Sequence, residues 1–272
     1  MTDVKLGGGS YGEVRVAYWR GCLVAVKTFF DFLRVDQYLP RLQQEILICR
    51  HVHHPNVVSL LGFISENDVP LSIMSELLEG SLSDVIEAAD GDLSLREQVD
   101  IATGCSAGIG YLHKLDILHG DIRSTNVVVT SLMEAKICDL GAARFADSNL
   151  SAGPMSPEYL APERLRSVQH NTRMADVYSL GVTFIELMTG QEPAKTRRIF
   201  QARTVSQPAM KRLVLGMVKE DPHERPSIEE CLEQIISIRK FDKEYEICSA
   251  KRMVKGKVYG GDKLHLVKEP WV

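Results

Sequence analysis

The sequence predicts an α+β protein in which a small, strand-rich N-terminal half is joined to a larger, helix-rich C-terminal half. In the first third of the chain, β-branched and aromatic residues cluster in short runs that are typical of strands. From about Ser83 onward, apolar residues recur at helical spacing instead. The two patterns meet between residues 77 and 80, so we expect an N-lobe of about 1–77 and a C-lobe of about 80–240.

The strand-rich half begins with VRVAYW and CLVAVKTF, two runs that are separated by a break at Trp19-Arg20-Gly21. One main helix is predicted from about Pro40 to Arg50, because proline suits a first helical turn. The turn HHPNVV follows, and VVSLLGFI and LSIMSELL have the composition of further strands.

Four segments of helical periodicity make up the second half: LREQVDIATGCSAGIGYLHKL, DVYSLGVTFIELMTG, AMKRLVLGMVKE and SIEECLEQIISIRKF. After about Lys240 the periodicity weakens. We therefore expect one domain over residues 1–240 and a mobile tail over 241–272. Met1 lies almost on the first predicted strand, so we expect no interaction domain ahead of it.

The composition excludes several classes of protein. The 272 residues are 44% hydrophobic and 25% charged, which suffices for a sizeable core. A net charge of −4 does not indicate a nucleic-acid or membrane-surface partner, and no apolar run approaches the ~20 residues of a membrane span. MTDVKLGGGS lacks a signal-peptide pattern, and the six cysteines are scattered. We therefore expect a cytoplasmic protein with free thiols.

A glycine-rich stretch, LGGGSYGEV, lies at residues 6–14 and contains G-x-G-x-x-G. That spacing also serves dinucleotide folds, where it opens a helix. Here the alternating run VRVAYW follows, which indicates a β-hairpin whose backbone N–H groups can approach phosphate oxygens. The predicted nucleotide-binding residues of this hairpin are Leu6, Gly7, Gly8, Gly9, Ser10, Tyr11, Gly12, Glu13 and Val14.

Lys27, in the run VAVK, is the cation that we expect to meet the nucleotide phosphates. A carboxylate must hold such a lysine, and Glu45 in the predicted helix is the candidate. Either residue taken alone would be an ordinary surface charge. Their combination with the glycine-rich hairpin favours a nucleotide site.

A third pattern is ILHGDIRSTNVVV at 117–129, in which an Asp and an Asn stand five apart, just before an apolar run. It is followed in order by DLG, APE, DVYSLG and HERP, which begin at positions 139, 161, 176 and 223. These motifs and their spacing resemble a eukaryotic protein kinase domain, from about Asp3 to Arg239. The resemblance implies the bilobal protein kinase fold, with a small β-rich N-lobe containing one main helix and a larger helical C-lobe.

The resemblance also implies ATP and Mg²⁺ as cofactors and a role for each matched residue. Asp121 is the catalytic residue expected to accept the proton of the substrate hydroxyl or to orient that hydroxyl. Arg123 takes the place of a catalytic-loop lysine. Together with Lys27 and Glu45, it is expected to be a catalytic residue. Asn126 and Asp139 are the expected Mg²⁺ ligands.

Adenine contacts and internal pairs carry over in the same way. The residues expected around adenine are Val14, Ala25 and Val128 on its faces, the backbone groups of Glu76 and Leu78 at its edge, and Ser75 behind it. Glu163 is expected to pair with Arg225, and Asp176 to hold the backbone of the catalytic loop.

The segment SPEYLAPE at 156–163 resembles the T-P-E-Y-x-A-P-E of serine/threonine kinases. Two further motifs, DVYSLG and the GSL at residues 80–82, resemble the tyrosine-kinase-like group, near interleukin-receptor-associated and receptor-interacting kinases. We expect a serine/threonine kinase that phosphorylates protein substrates in intracellular signalling. A tyrosine kinase is one alternative. The other is a pseudokinase scaffold, which Gly120 and Leu140 favour because both depart from the kinase motifs.

Gly120 stands where the catalytic-loop motif H-R-D has its arginine. In many kinases that arginine binds a phosphate on the activation segment. Arg144 is the only other cation that the sequence assigns to this phosphate-binding pocket. A single arginine binds a doubly charged phosphate weakly. We therefore predict that phosphorylation of Ser148, Ser151 or Ser156 is not required for activity.

The segment 195–214 contains six Lys or Arg and no acidic residue. A solvated basic face is the simplest interpretation. The alternative is a docking site for acidic or phosphorylated partners.

Overall fold

A five-stranded antiparallel sheet with strand order β1-β2-β3-β5-β4 forms the N-terminal half. The structure is a computed structural model, and it describes residues 4–9, 12–30, 39–66, 69–146, 156–166, 172–194 and 198–253. The five strands are β1 (Lys5–Gly9), β2 (Gly12–Trp19), β3 (Cys22–Phe29), β4 (Leu60–Glu66) and β5 (Val69–Glu76).

The register of the central strands decides which side chains share a face. Val14 pairs with Lys27, Val16 pairs with Ala25, and Ala25 pairs with Ser75 on the other side. Because side chains alternate along a strand and paired residues project to the same side, these five residues lie on one face of the sheet.

Among the described residues of this half, the helix is α1 (Leu39–His51), which matches the predicted helix within one residue at each end. Its Leu42 and Ile46 pack against Phe29 and Ile73 of the sheet in a small hydrophobic cluster. This packing fixes α1 beside β3 and β5. It therefore also fixes the position of Glu45, whose side chain projects from the same helix.

Helices dominate the C-terminal half, as the predicted fold class requires. They are α2 (Leu82–Ala88), α3 (Leu95–Lys114), α4 (Pro162–Arg166), α5 (Arg173–Thr189), α6 (Arg198–Thr204), α7 (Pro208–Met217) and α8 (Ile228–Met253). α5 is central, because every residue from Ala175 to Met188 is buried. α8 continues past position 240, where the sequence set the boundary of the tail, and residues 254–272 lie outside the described residues.

Short strands join the helices. They are β6 (Gly80–Ser81), β7 (Ile117–Leu118), β8 (Val127–Val129), β9 (Ala135–Ile137) and β10 (Arg144–Phe145). β6, β8 and β9 form one sheet, and β7 pairs with β10. Single turns of 3-10 helix at Ser124–Asn126 and Leu140–Ala142 interrupt the loops between them. These loops carry the catalytic-loop and DLG motifs.

Candidate active site

Lys27 connects the two halves of the molecule through two ion pairs. Its Nζ lies 2.8 Å from Oε1 of Glu45 on α1 and 2.7 Å from Oδ1 of Asp139, which follows β9. The Glu45 pair is the one that the sequence anticipated. We call Lys27, Glu45 and Asp139 the cleft cluster.

The charges in the cleft cluster shift one another's protonation. Burial alone would lower the pKa of the Lys27 ammonium, but Asp139 and Glu45 outweigh burial and raise that pKa. The Lys27 charge holds the pKa of Asp139 below its usual value. Burial raises the pKa of Glu45, and Lys27 offsets this only in part. At neutral pH the ammonium and the Asp139 carboxylate are therefore both charged.

The backbone at Asp139 turns the carboxylate toward the cleft. This residue has a left-handed conformation (φ 55°, ψ 75°), and its Oδ1 also accepts a hydrogen bond from the Gly141 N–H at 3.3 Å. Leu140 is buried in the main core and keeps an apolar plug in this turn. Burial raises the pKa of Cys138, directly before the aspartate, to about 12, so its thiol is unreactive at neutral pH.

Asp121 and Asn126 face each other across the catalytic loop. The Asn126 Nδ2 donates to the Asp121 carbonyl at 2.8 Å and to its Oδ2 at 3.0 Å. His119 connects this loop to the DLG turn, because its Nε2 lies 3.0 Å from the Cys138 carbonyl oxygen. Its Nδ1 accepts from the Asp121 N–H at 3.3 Å, which assigns the imidazole proton to Nε2.

Arg123 bridges the catalytic loop and the segment SPEYLAPE. Its Nη1 donates to the Ser156 hydroxyl at 2.8 Å, and its Nε lies 3.5 Å from Oδ2 of Asp121. Arg123 thus stands beside the predicted base and in contact with Ser156, the residue that replaces the threonine of the serine/threonine pattern.

Asp176 at the start of α5 holds the catalytic-loop backbone, as expected. Its carboxylate accepts hydrogen bonds from the backbone N–H groups of His119 and Gly120, each at 2.9 Å, and its Oδ2 lies 2.9 Å from Nε2 of His113. Burial alone would raise the pKa of Asp176, but these donors outweigh burial and lower it. A second expected pair is also present: Arg225 donates to both carboxylate oxygens of Glu163, at 2.7 and 2.8 Å.

The glycine-rich hairpin is formed by β1 and β2, of which Ser10 and Tyr11 lie outside the described residues. A Cβ at Gly12 would meet the Thr28 carbonyl oxygen at 2.1 Å, so the sheet itself requires glycine there. A Cβ at Gly7 would meet nothing within 4 Å. Packing therefore does not explain Gly7, and its predicted approach to a nucleotide stays a prediction.

The residues predicted around adenine lie near the point where the two halves of the chain meet. Val14 and Ala25 share the sheet face of Lys27, and Ser75 pairs with Ala25. Val128 lies in β8, across from Ser81 at the start of the C-terminal half.

Glu76 turns its side chain away from that face. Its two oxygens accept from Nζ of Lys136 at 2.8 and 2.7 Å, and Oε1 also accepts from the Ser59 N–H at 2.8 Å. This leaves only the Glu76 backbone for the predicted contact. The pair with Lys136 joins β5 to β9 and was missed in the sequence, where nothing distinguishes this lysine from a surface charge.

Comparison with known proteins assigns the family. Residues 1–235 match the family described as "Protein kinase domain". This chain belongs to the protein kinase family. The bilobal kinase fold that the motifs predicted is thereby confirmed.

Relatives of this kinase include three proteins of Arabidopsis thaliana. "Probable serine/threonine-protein kinase SIS8" is 36% identical over 70% of this chain and 19% of its own length. "Serine/threonine-protein kinase CTR1" is 33% identical over 82% of this chain and 30% of its own. "Calmodulin-binding receptor-like cytoplasmic kinase 3" is 31% identical over 83% and 46%, respectively. The kinase chain thus spans less than half the length of these relatives.

One arginine of the kinase escaped the sequence analysis. Arg164, directly after APE, is buried, and its Nη1 donates to the Gly120 carbonyl at 2.7 Å. A second arginine therefore lies beside position 120, in addition to Arg144, which the sequence analysis had named alone. No feature of the sequence marks Arg164 as buried, since Arg166, two residues further along the same helix, is exposed.

None of the helices among the described residues combines the length and apolar character that crossing a membrane requires.

Proposed function

We propose that this chain transfers the γ-phosphate of ATP to serine or threonine hydroxyls of protein substrates. The observation that carries the proposal is the position of the Lys27 ammonium between Glu45 and Asp139, at 2.8 and 2.7 Å. This arrangement brings α1, β3 and the DLG turn together. Phosphoryl transfer depends on such positioning and charge more than on covalent chemistry.

Each charged residue then has a distinct task. The Lys27 ammonium, which its carboxylate neighbours keep protonated, binds and orients the nucleotide phosphates. The Asp121 carboxylate orients the substrate hydroxyl and accepts its proton, while the Asn126 amide holds that carboxylate in place. Arg123, beside Asp121, meets the phosphoryl group as it is transferred.

Mg²⁺ fits the donor set on this side of the cleft. Asp139 offers a carboxylate oxygen, and Asn126 offers its amide oxygen because the amide nitrogen is bonded to Asp121. These two oxygens would hold the ion, and Mg²⁺ sites of this kind commonly include substrate phosphates as well. When bound there, Mg²⁺ would supply positive charge beside the nucleotide phosphates.

The preference for serine and threonine rests on the contact between Arg123 and Ser156 and on the names of the relatives. We also assign the chain to the tyrosine-kinase-like group, from DVYSLG and GSL. A cytoplasmic location is part of the proposal, and the name of the receptor-like cytoplasmic kinase supports it.

The decisive experiment measures transfer of labelled phosphate from Mg²⁺-ATP to a generic protein substrate, followed by phosphoamino-acid analysis. Asp121→Asn serves as the matched control, since it should lower transfer by about 10²–10⁴-fold and leave ATP binding nearly unchanged. Phosphoserine and phosphothreonine are expected from the wild type. Phosphotyrosine would identify the tyrosine kinase, and ATP binding with equal incorporation in both proteins would indicate the pseudokinase scaffold.

We further propose that acidic or phosphorylated partners dock on the basic segment 195–214. Residues 195–197 lie outside the described residues, and α6 begins at Arg198. The double change Arg197→Glu, Arg198→Glu should weaken binding of an acidic or phosphorylated peptide, most strongly at low salt. Lys114→Glu with Arg166→Glu, two exposed cations elsewhere, is the control. Equal affinity at low salt would mean that the segment is only a solvated face.

A further inference from the structure

Arg164 on α4 reaches back to the catalytic loop. Its Nη1 donates to the Gly120 carbonyl oxygen at 2.7 Å, and the residue is only 4% exposed. A charged hydrogen bond at this distance and this burial is among the stronger polar contacts in a protein. The donor comes from the helix that follows the activation segment, and the acceptor directly precedes Asp121.

The surroundings of Arg164 are charged but internally balanced. The carboxylates of Asp176 and Asp121 and the second guanidinium, of Arg144, all act electrostatically on it. Arg144 is itself only 8% exposed and interacts with Asp176. Both guanidinium groups are thus committed to groups of the protein. Neither presents an accessible cation to a phosphate on the activation segment.

Gly120 and its neighbours are held at each peptide group. Gly120 has φ +80°, a left-handed conformation that glycine adopts at little cost, and its N–H donates to Asp176. Both polar groups of the peptide unit that joins Gly120 to Asp121 are hydrogen-bonded. Arg164 donates to its carbonyl oxygen, and its N–H donates to His119. The orientation of that peptide unit sets the direction in which Asp121 projects.

We propose that Arg164 is a positioning residue for Asp121, which it orients through the Gly120 carbonyl. The catalytic loop then takes its shape from α4 rather than from a phosphate on the activation segment. This inference rests on the proposed function, because it assigns Asp121 to the reaction. α4 is a firm base for the role, since Glu163 of the same helix is anchored by both Nη atoms of Arg225.

The kinetic test compares Arg164→Met with Arg166→Met, which removes an exposed arginine of the same helix. Arg164→Met should lower kcat by about 10–100-fold, as expected for loss of a charged hydrogen bond, with KM for ATP unchanged. Arg164→Lys, which keeps one charged donor, should recover part of the loss, and Arg166→Met should match wild type. Unchanged kcat in Arg164→Met, or equal damage to kcat and KM for ATP, would overturn the proposal.

A second measurement does not depend on catalysis. Hydrogen exchange of the amides in residues 117–126 should be faster in Arg164→Met, by about 10-fold or more, and unchanged in Arg166→Met. If Arg164→Met does not fold, the same comparison is made with Arg164→Lys, which should show a smaller acceleration. An inactive wild type with this exchange pattern would refute the proposed function alone. Unaltered exchange in an active enzyme would refute the role of Arg164 alone.

Discussion

Two clusters that are each built around carboxylates lie close together and differ in what surrounds them. The cleft cluster joins β3, α1 and the DLG turn, and the Asp139 side chain remains 42% exposed. The second, which we call the Asp176 cluster, comprises His113, His119, Gly120, Arg164 and Asp176. Its central carboxylate is only 2% exposed.

The difference in burial separates binding from positioning. Asp139 has the Lys27 ammonium on one side and keeps part of its carboxylate exposed to solvent, so it can meet a ligand. Asp176 is enclosed, accepts hydrogen bonds from two backbone N–H groups, and lies against the buried imidazole of His113. Its role is therefore to fix the loop that carries Asp121. Changes in the first cluster should therefore affect function more than stability, and changes in the second should affect stability first.

The largest effect is expected from Asp176→Asn. This change removes a buried charge and places amide hydrogens against N–H donors, which should cost about 3–5 kcal/mol of the free energy of unfolding. Urea denaturation measures it. Asp116→Asn is the control, because that aspartate pairs with Arg173 at the surface and should contribute at most about 1 kcal/mol. Similar losses in both variants would remove the distinction between the clusters.

Lys27→Met should reduce kcat/KM by about 10²–10³-fold, because it removes a preorganised cation from the phosphates. The control is Lys136→Met. Both lysine side chains are 18% exposed and paired with a carboxylate, but Lys136 bonds Glu76 outside the cleft cluster. We expect Lys136→Met to have a lower melting temperature than wild type and to keep most of the activity. Comparable kinetic damage in the two variants would show that loss of any interlobe ion pair is sufficient.

The pH dependence of stability should follow the lowered pKa of Asp176. A carboxyl group whose pKa is lower in the folded state stabilises the fold above the pKa of the unfolded chain, about 4, and loses this contribution as pH falls through the folded value. The difference in unfolding free energy between wild type and Asp176→Asn should thus be full at pH 7 and shrink below about pH 4. A difference that stays constant down to pH 3 would contradict a charged Asp176.

The smallest effect, none, is expected for loss of phosphorylation on the activation segment. Ser148 and Ser151 lie outside the described residues. The double change Ser148→Ala, Ser151→Ala and phosphatase-treated wild type should both keep full activity. Ser156 is left intact because its hydroxyl bonds Arg123. Activity that disappears in both preparations would show that a loop phosphate is needed after all.

The members of the cleft cluster could be predicted because each lies in a motif with fixed spacing, but the ion pair between Lys27 and Asp139 was not predicted. Lys27 in VAVK, Glu45 in the helix that follows, and Asp139 in DLG are far apart in the chain, yet the motifs specify their roles. The same holds for the pairs of Glu163 with Arg225 and of Asp176 with the loop backbone. Strands of two or three residues, such as β6 and β7, escaped prediction because they are too short to show a period.

By itself, the sequence determined the division into a strand-rich and a helix-rich half, the family, and the positions of the charged motifs. Hydrophobic periodicity and motif spacing are local properties, so they can be read along the chain. Only the tertiary structure decided which cations are buried. Arg164 and Arg166 lie in the same short helix, but α4 packs so that one faces the catalytic loop and the other faces solvent. The direction in which a helix packs depends on distant segments, here the loop before Asp121 and Arg225 near α8, and no local pattern encodes it.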